Sequence, residues 1–223
     1  YGLEALARLR TAKLGLVSPL EFIPIAEKTK LILPIGEKVI AKALGFLSKL
    51  KEHGHKEIKV SVNTSVIQLL KPDFSSRLLE LISKMQINPR NVGIEITESV
   101  LAAEFDNIND VIEQLKREGL HIALDDFGTG YSSLSRETGL KADCMKIDKY
   151  FVDILLSTNP DKAITSDIIS IAHKLGHSVV AEGVTKEIQL RYLREYDCDG
   201  VQGYLISKPL DEDDALKFLR GAK

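Results

Sequence analysis

The chain has 223 residues, of which 44% are hydrophobic and 28% are charged, and its formal net charge is −2 at pH 7. These values are typical of a globular protein with a hydrophobic core. Acidic and basic residues are interspersed along the chain, and this distribution argues against a clustered positive surface. We therefore expect no contact with a nucleic-acid polymer or a membrane.

Short runs rich in β-branched residues alternate along the chain with longer amphipathic runs. The short runs predict strands at residues 3–9, 58–63, 92–97, 121–126, 144–148, 178–183 and 200–204. Apolar residues at three- and four-residue spacing predict helices at residues 20–29, 35–51, 74–85, 108–117, 162–175 and 186–196. No low-complexity stretch or Gly/Ser-rich linker interrupts the pattern, so residues 1–223 are predicted to form one domain.

Repeated strand–helix units imply a parallel sheet, because parallel neighbours need a helical crossover. An open doubly wound sheet and a (β/α)8 barrel both satisfy this pattern. Six predicted strands end in polar residues, namely Asn63, Glu95, Asp125 with Asp126, Lys146, Glu182 and Gln202. Every strand of a barrel can contribute to its mouth, whereas an open sheet uses only a couple of strands. The polar ends therefore favour an α/β fold of the TIM-like barrel class.

A barrel of this class needs one strand more than the pattern predicts within this chain. We expect the first strand to lie upstream of Tyr1 and to be missing from this sequence. The domain is then predicted to be a part excised from a longer, multidomain protein.

Five oxygen-bearing side chains are expected to crowd the barrel mouth, namely Glu4, Asn63, Glu95, Asp125 and Asp126. So many carboxylates repel each other unless divalent cations lie among them. Oxygen ligands without histidine or cysteine favour Mg²⁺ or Mn²⁺ over Zn²⁺. Two cations roughly 3.5–4 Å apart are the usual arrangement for in-line water attack at phosphorus. Lys146 is then predicted to lie beside the attacking water or the phosphate, and Glu182 can accept a proton from that water.

Each of these polar residues also has a purely structural interpretation. An aspartate after a strand is often the N-cap of the next helix, and a lysine or glutamate on a strand is often a solvated edge residue. Gly128-Thr129-Gly130 is compatible with a simple turn. These interpretations remain open one by one, but a polar residue at nearly every strand end favours a shared site.

The sequence around these residues resembles a known family. Glu4-Ala5-Leu6 is similar to the signature tripeptide of the bacterial EAL-domain cyclic di-GMP phosphodiesterases, and DDFGTGYSSL at 125–134 is highly specific for them. Further similar motifs follow in order, namely FIPIAE at 22–27, VSVN at 60–63, EITES at 95–99, KID at 146–148, AEGV at 181–184, QGY at 202–204 and KPL at 208–210. The resemblance covers essentially the whole chain.

The resemblance implies a role for each matching residue. In such proteins, the matches to Glu4, Asn63, Glu95 and Asp125 hold one cation, and the matches to Asp125 and Asp126 hold the second. The resemblance implies that Lys146 orients the nucleophilic water and that Glu182 is a base or a water-mediated metal partner. Leu6, Arg8 and Gln202 are implied substrate contacts, and Glu98 is an implied anchor of the loop at residues 126–133.

The implied reaction is hydrolysis of cyclic di-GMP to linear 5′-pGpG with Mg²⁺ or Mn²⁺. The loop at residues 126–133 resembles one that links metal binding to a dimer interface, so a homodimer is expected. A cytoplasmic location is also expected, because the substrate is made there. The two cysteines, Cys144 and Cys198, agree with this location because they form no disulfide framework.

The chain departs from the family pattern in four places, one of which is the missing first strand with a substrate-contacting position on it. Leu9 replaces a common tryptophan, residues 136–142 (RETGLKA) differ from the usual sequence, and Thr185 stands where active members often carry glutamate. A non-catalytic cyclic di-GMP receptor is therefore the alternative function. Such receptors usually lack several metal ligands, whereas this chain retains all five, and this difference favours the enzyme.

Overall fold

The computed structural model describes residues 2–98, 105–128, 140–156 and 163–221. Its internal contacts divide the chain into two units. The first unit comprises Tyr1–Ile96 and Asp106–His121, and the second comprises Thr97–Phe105 and Ile122–Lys223.

The first unit and its borders contain three parallel strands and a hairpin, together with five α-helices. In chain order these are β1 (Gly2–Ala5), β2 (Leu9–Thr11), β3 (Gly15–Val17), α1 (Pro19–Lys28), α2 (Ile32–Glu52), β4 (Lys59–Asn63), α3 (Val66–Leu69), α4 (Phe74–Lys84), β5 (Val92–Thr97) and α5 (Phe105–Arg117). Strand β4 pairs in parallel with β1 on one side and with β5 on the other. Strands β2 and β3 pair antiparallel.

The second unit repeats the strand–helix alternation. Its elements are β6 (His121–Phe127), β7 (Cys144–Ile147), α6 (Lys149–Ile154), α7 (Thr165–Lys174), β8 (Ser178–Ala181), α8 (Glu187–Glu195), β9 (Gly200–Val201) and α9 (Glu212–Gly221). Strand β6 pairs with β7, β7 with β8 and β8 with β9, all in parallel. Both units therefore confirm the predicted α/β class with a parallel sheet.

The burial pattern explains why these segments take these forms. Residues 92–96 of β5 are all buried, as expected for a parallel strand that is covered on both faces. Helix α5 is amphipathic, and its Ile108, Ile112 and Leu115 are completely buried at intervals of four and three residues. Asp148 is the N-cap of helix α6, and its side chain accepts a hydrogen bond of 2.8 Å from the Tyr150 N–H.

The predicted strands and helices are confirmed within a few residues at most ends. The strand predicted over residues 3–9 is wrong beyond Ala5, because Leu9 already begins the β2–β3 hairpin. The strand predicted over residues 200–204 ends at Val201, because Gly203 leaves the extended conformation with φ +153°. The pattern missed α3 and α6, which have 4 and 6 residues and are too short to show a helical period. No helix in the described ranges is both long and apolar enough to cross a lipid bilayer.

Asp199 stabilises the entry into β9 through two hydrogen bonds. Its Oδ2 accepts from the Val179 N–H at 2.7 Å and lies 2.8 Å from His173 Nε2. Partial burial opposes ionisation, but the hydrogen bonds from His173 and Val179 prevail, so the pKa of Asp199 is lowered from its ordinary value of 3.8. A lowered folded-state pKa adds stability above the unfolded-state pKa, and this stability is lost as pH falls through the folded-state pKa.

We therefore expect Asp199→Asn to lower the free energy of unfolding at pH 7 by less than about 1 kcal/mol, because the site is partly exposed and screened. The difference between variant and parent should be smaller at pH 3 than at pH 7, because the contribution of the ionised carboxylate decreases once pH falls below the unfolded-state pKa of 3.8. Urea unfolding at both pH values measures it. An equal difference at pH 7 and pH 3 would exclude a role for the ionised carboxylate.

Candidate active site

The end of β6 carries an irregularity that displays two aspartates. Leu124 pairs with Met145, and Phe127 pairs with Ile147. The two residues Asp125 and Asp126 therefore lie opposite the single residue Lys146. This is a β-bulge, a feature that redirects side chains at the rims of sheets. Asp126 has φ +56°, and its N–H donates to Asp125 Oδ1 at 3.0 Å. A left-handed non-glycine residue costs on the order of 1–3 kcal/mol, which the surrounding structure must offset.

Lys146 lies on β7 opposite this bulge and is buried. Its side chain is only 4% exposed, and Nζ lies 3.4 Å from Asp125 Oδ1 and 2.5 Å from Glu182 Oε1. A buried ammonium group needs such partners, because its desolvation costs several kcal/mol. This burial contradicts the alternative interpretation of Lys146 as a solvated edge residue. The second unit thus contains a cation on β7 that is held by two carboxylates, one at the end of each flanking strand, β6 and β8.

Backbone hydrogen bonds continue the sheet past the ends of its strands and place Glu182 and Gln202. The Glu182 N–H donates to the Ile147 carbonyl at 3.0 Å, and the Gln202 N–H donates to the Ala181 carbonyl at 2.8 Å. The Val184 N–H in turn donates to the Gln202 carbonyl at 3.0 Å. Glu182 and Gln202 therefore lie at the carboxyl ends of neighbouring strands, as predicted.

The first unit brings together Glu4, Asn63 and Glu95 at the carboxyl ends of β1, β4 and β5. Asn63 Nδ2 donates to Glu4 Oε1 at 2.6 Å, and Asn63 pairs in register with Glu95. The side chain of Glu95 is buried, with 5% exposure. Because the amide nitrogen of Asn63 is the donor to Glu4, its carbonyl oxygen keeps the lone pairs that can bind a cation.

The donor chemistry of the predicted ligands fits a hard divalent cation. Glu4 and Asn63 in the first unit, and the bulge at Asp125 and Asp126 in the second, supply oxygen atoms and no imidazole or thiolate. Across the described ranges, no group of three or more His, Cys, Asp or Glu side chains is gathered closely enough to hold a metal ion. The assignment of these residues as ligands therefore stays a prediction.

The three predicted substrate contacts lie on accessible parts of the chain. Leu6 follows β1 and is 42% exposed. Arg8 is exposed, and its Nη1 donates to the neighbouring Ala7 carbonyl at 3.0 Å, while Gln202 is half-buried. These positions agree with side chains that reach a bound molecule, and their roles stay predictions.

Glu98 is a buried carboxylate with a defined partner. It is 4% exposed, and its Oε2 accepts a hydrogen bond of 3.0 Å from the Gly128 N–H. Gly128 has φ +92°, and a Cβ atom there would lie 2.6 Å from the Phe151 ring, so only glycine fits. Glu98 thus contacts the start of the predicted loop, while loop residues 129–133 lie outside the described residues.

Two of the departures from the family pattern can be located. Leu9 begins β2 and is 36% exposed. Thr185 donates its N–H at 2.9 Å and its Oγ1–H at 3.3 Å to Gln189 Oε1. In the altered stretch at residues 136–142, residues 136–139 lie outside the described ranges.

The sequence pattern did not identify two polar residues in the segments that follow the predicted catalytic pair. Asp148 caps α6 directly after β7, and Gln189 of α8 is completely buried. The Asp148 side chain could have been predicted as an N-cap from its place before a helix. A glutamine within a helical pattern gives no comparable signal, because most glutamines are exposed.

The chain matches the EAL domain family over residues 1–209. The "Bifunctional diguanylate cyclase/cyclic di-GMP phosphodiesterase MucR" of Pseudomonas aeruginosa is 35% identical over 215 residues, which are 96% of this chain and 31% of that protein. The "Cyclic di-GMP phosphodiesterase NbdA" of the same species is 35% identical over 220 residues, which are 99% of this chain and 28% of that protein. The chain therefore spans less than a third of either relative.

A solved structure described as "PaMucR Phosphodiesterase, c-di-GMP complex" has the same fold. It is similar with a TM-score of 0.90 at 34% sequence identity, over 96% of this chain and 87% of that chain. This likeness confirms the predicted α/β fold of the TIM-like barrel class. With the family match over residues 1–209, it shows that the chain belongs to the EAL domain family.

Proposed function

We propose that the chain is a metal-dependent phosphodiesterase domain that hydrolyses cyclic di-GMP to linear 5′-pGpG. The observation that carries the proposal is the buried Lys146, held between Asp125 and Glu182. Buried charges with specific charged partners are concentrated at functional sites. The names of the relatives MucR and NbdA, and the c-di-GMP complex of PaMucR, support this substrate.

The proposed cation ligands are the oxygen-bearing residues at the strand ends. Glu4, Asn63, Glu95 and Asp125 would hold one Mg²⁺ or Mn²⁺, and Asp125 and Asp126 would hold a second. When bound, the two cations would lower the pKa of the attacking water and neutralise charge on the phosphoryl oxygens.

The chain itself supplies the groups that position and move protons. The Lys146 ammonium donates to the attacking water and orients it in line with the scissile bond, while Glu182 accepts the proton that the water loses. The hydroxyl adds to phosphorus, the P–O3′ bond breaks, and the leaving 3′ oxygen takes up a proton. One phosphodiester of the ring is thereby opened, which gives a linear dinucleotide with a 5′-phosphate.

Further residues are proposed to bind the substrate and to adjust the site. The cation of Arg8 would contact a substrate phosphate, and Leu6 and Gln202 would contact the rest of the dinucleotide. Glu98 would anchor the loop at residues 126–133 through Gly128 and relate metal binding to contacts in a homodimer. We propose one catalytic domain that works in the cytoplasm.

Turnover of cyclic di-GMP with Mg²⁺ or Mn²⁺ tests the proposal, with pGpG measured by chromatography. We expect turnover by the unmodified chain, and a loss of at least about 100-fold in Glu4→Ala, because a metal ligand is removed. Glu80→Ala, an exposed glutamate of α4 in the same unit, is the matched control and should keep full activity.

The result also decides between the enzyme and the receptor. Product that disappears in Glu4→Ala but not in Glu80→Ala supports the phosphodiesterase. Binding of cyclic di-GMP without product in either metal would establish the non-catalytic receptor instead. Product that is unaffected by Glu4→Ala would overturn the assignment of this residue as a ligand.

A further inference from the structure

Gln189 is a buried side chain whose two polar atoms both form hydrogen bonds. It is 0% exposed, and its Oε1 accepts from the Thr185 N–H at 2.9 Å, from the Lys186 N–H at 2.9 Å and from Thr185 Oγ1 at 3.3 Å. Its Nε2 donates to the Val152 carbonyl at 3.0 Å. A buried polar group in this arrangement is costly to disturb, because each lost partner leaves a desolvated group unsatisfied.

These hydrogen bonds join two segments that carry the proposed catalytic pair. Thr185 is three residues after Glu182, and the intervening Val184 is completely buried. Val152 belongs to α6, which starts directly after β7, the strand that carries Lys146. Both segments and Gln189 lie in the second unit.

A simple capping role explains only half of this arrangement. The Oε1 atom satisfies N–H groups at the start of α8, as a cap does. The Nε2 atom, however, reaches a carbonyl 37 residues earlier in the chain, on a different helix. This second hydrogen bond fixes the distance between the segment after Glu182 and the helix after Lys146.

We infer that Gln189 is a positioning residue that holds Glu182 and Lys146 in register with each other. The inference rests on the proposed function, because it concerns the same pair. The Lys146 and Glu182 side chains meet at 2.5 Å, so a small displacement of either segment would separate them. A misplacement of about 1 Å can reduce a rate about 100-fold.

Two substitutions distinguish the role of the Oε1 acceptor of Gln189 from the role of its Nε2 donor. Gln189→Glu keeps the acceptor for the Thr185 and Lys186 amides but places an oxygen against the Val152 carbonyl. Gln189→Met removes both the acceptor and the donor. We expect Gln189→Glu to lower kcat by about 10- to 100-fold in the folded protein, while KM changes by less than about 3-fold.

Thr165→Val is the matched control for a buried hydrogen bond to the same helix. Thr165 is 0% exposed, and its Oγ1 donates to the Phe151 carbonyl of α6 at 3.0 Å. Within the described part of the chain, no hydrogen bond joins the Thr165 side chain to the segment after Glu182. Loss of the Thr165 hydroxyl should therefore lower stability but leave kcat within about 2-fold. The Gln189→Glu and Thr165→Val variants are assayed well below their unfolding temperatures, after circular dichroism has shown that they fold.

An equal fall in kcat for Thr165→Val and Gln189→Glu would overturn the inference, and so would an unchanged kcat in Gln189→Glu. If the unmodified chain gives no product with either metal, the proposed function fails. Amide hydrogen exchange then tests the positioning role of Gln189 on its own. In that case the inference requires residues 182–186 to exchange at least about 10-fold faster in Gln189→Met than in Thr165→Val. Equal exchange in the two variants would overturn it.

Discussion

Lys146→Met is expected to reduce turnover strongly and to lower the free energy of unfolding by about 3–5 kcal/mol, the range seen when one partner of a buried charge pair is removed. The side chain is 4% exposed and lies between Asp125 and Glu182. Methionine keeps much of the aliphatic volume but leaves two carboxylates without their common cation. The proposed role in orienting water predicts a fall in kcat of at least about 100-fold in addition.

Urea unfolding with a chelator present measures the stability change, and pGpG formation measures the catalytic change. Lys217→Met is the matched control, because Lys217 pairs with Asp214 on α9 and its side chain is 72% exposed. That substitution should leave the free energy of unfolding nearly unchanged and turnover intact, because an exposed ion pair contributes little. Equal stability losses in the two variants would mean that Lys146 is solvated in solution.

Gly203→Ala is expected to have the second large effect, a destabilisation of more than about 3 kcal/mol, because the backbone must shift as for a strongly overpacked core. Gly203 has φ +153°, and a Cβ atom there would lie 2.2 Å from the Val184 carbonyl oxygen and 2.4 Å from its nitrogen. These are backbone atoms that already form hydrogen bonds with Gln202 and Leu205. The clash cannot be relieved by moving a flexible side chain.

The Gly176→Ala variant is the control that measures the cost of the left-handed backbone conformation without a steric clash. Gly176 also has a positive φ, +84°, but a Cβ atom there meets nothing within 4 Å. Only the left-handed conformation then matters, so we expect a loss of about 1–2 kcal/mol. Thermal or urea unfolding of the two variants gives the comparison. A Gly203→Ala variant as stable as Gly176→Ala would show that the segment after β9 can move away from Val184.

The local sequence pattern was sufficient to predict the strands that carry the candidate site residues. The strand predicted over residues 92–97 agrees with β5 at both ends, because a short run rich in β-branched residues has no helical period. The polar residues after the strands could be predicted to share a mouth, because the carboxyl ends of parallel strands lie on the same side. The family motifs then assigned a chemical role to each of these positions.

Positions that depend on partners distant in sequence could not be predicted in this way. The pattern showed that Asp125 and Asp126 are adjacent, but not that they form a bulge with Asp126 at φ +56°. A bulge depends on the register with β7, which local sequence does not specify. The burial of Gln189 was missed for the same reason, since its donor bond joins residues 37 positions apart.

The sequence by itself therefore determined the α/β class, the family and the residues proposed to bind metal and substrate, because these depend on periodicity and residue type. Only the tertiary structure decided that Lys146 is buried between Asp125 and Glu182, since burial is a property of packing across neighbouring strands. It also decided that Glu98 contacts Gly128 and that Gln189 joins the segments after Lys146 and Glu182. These contacts form between segments far apart in the chain, where no local physical preference can determine them.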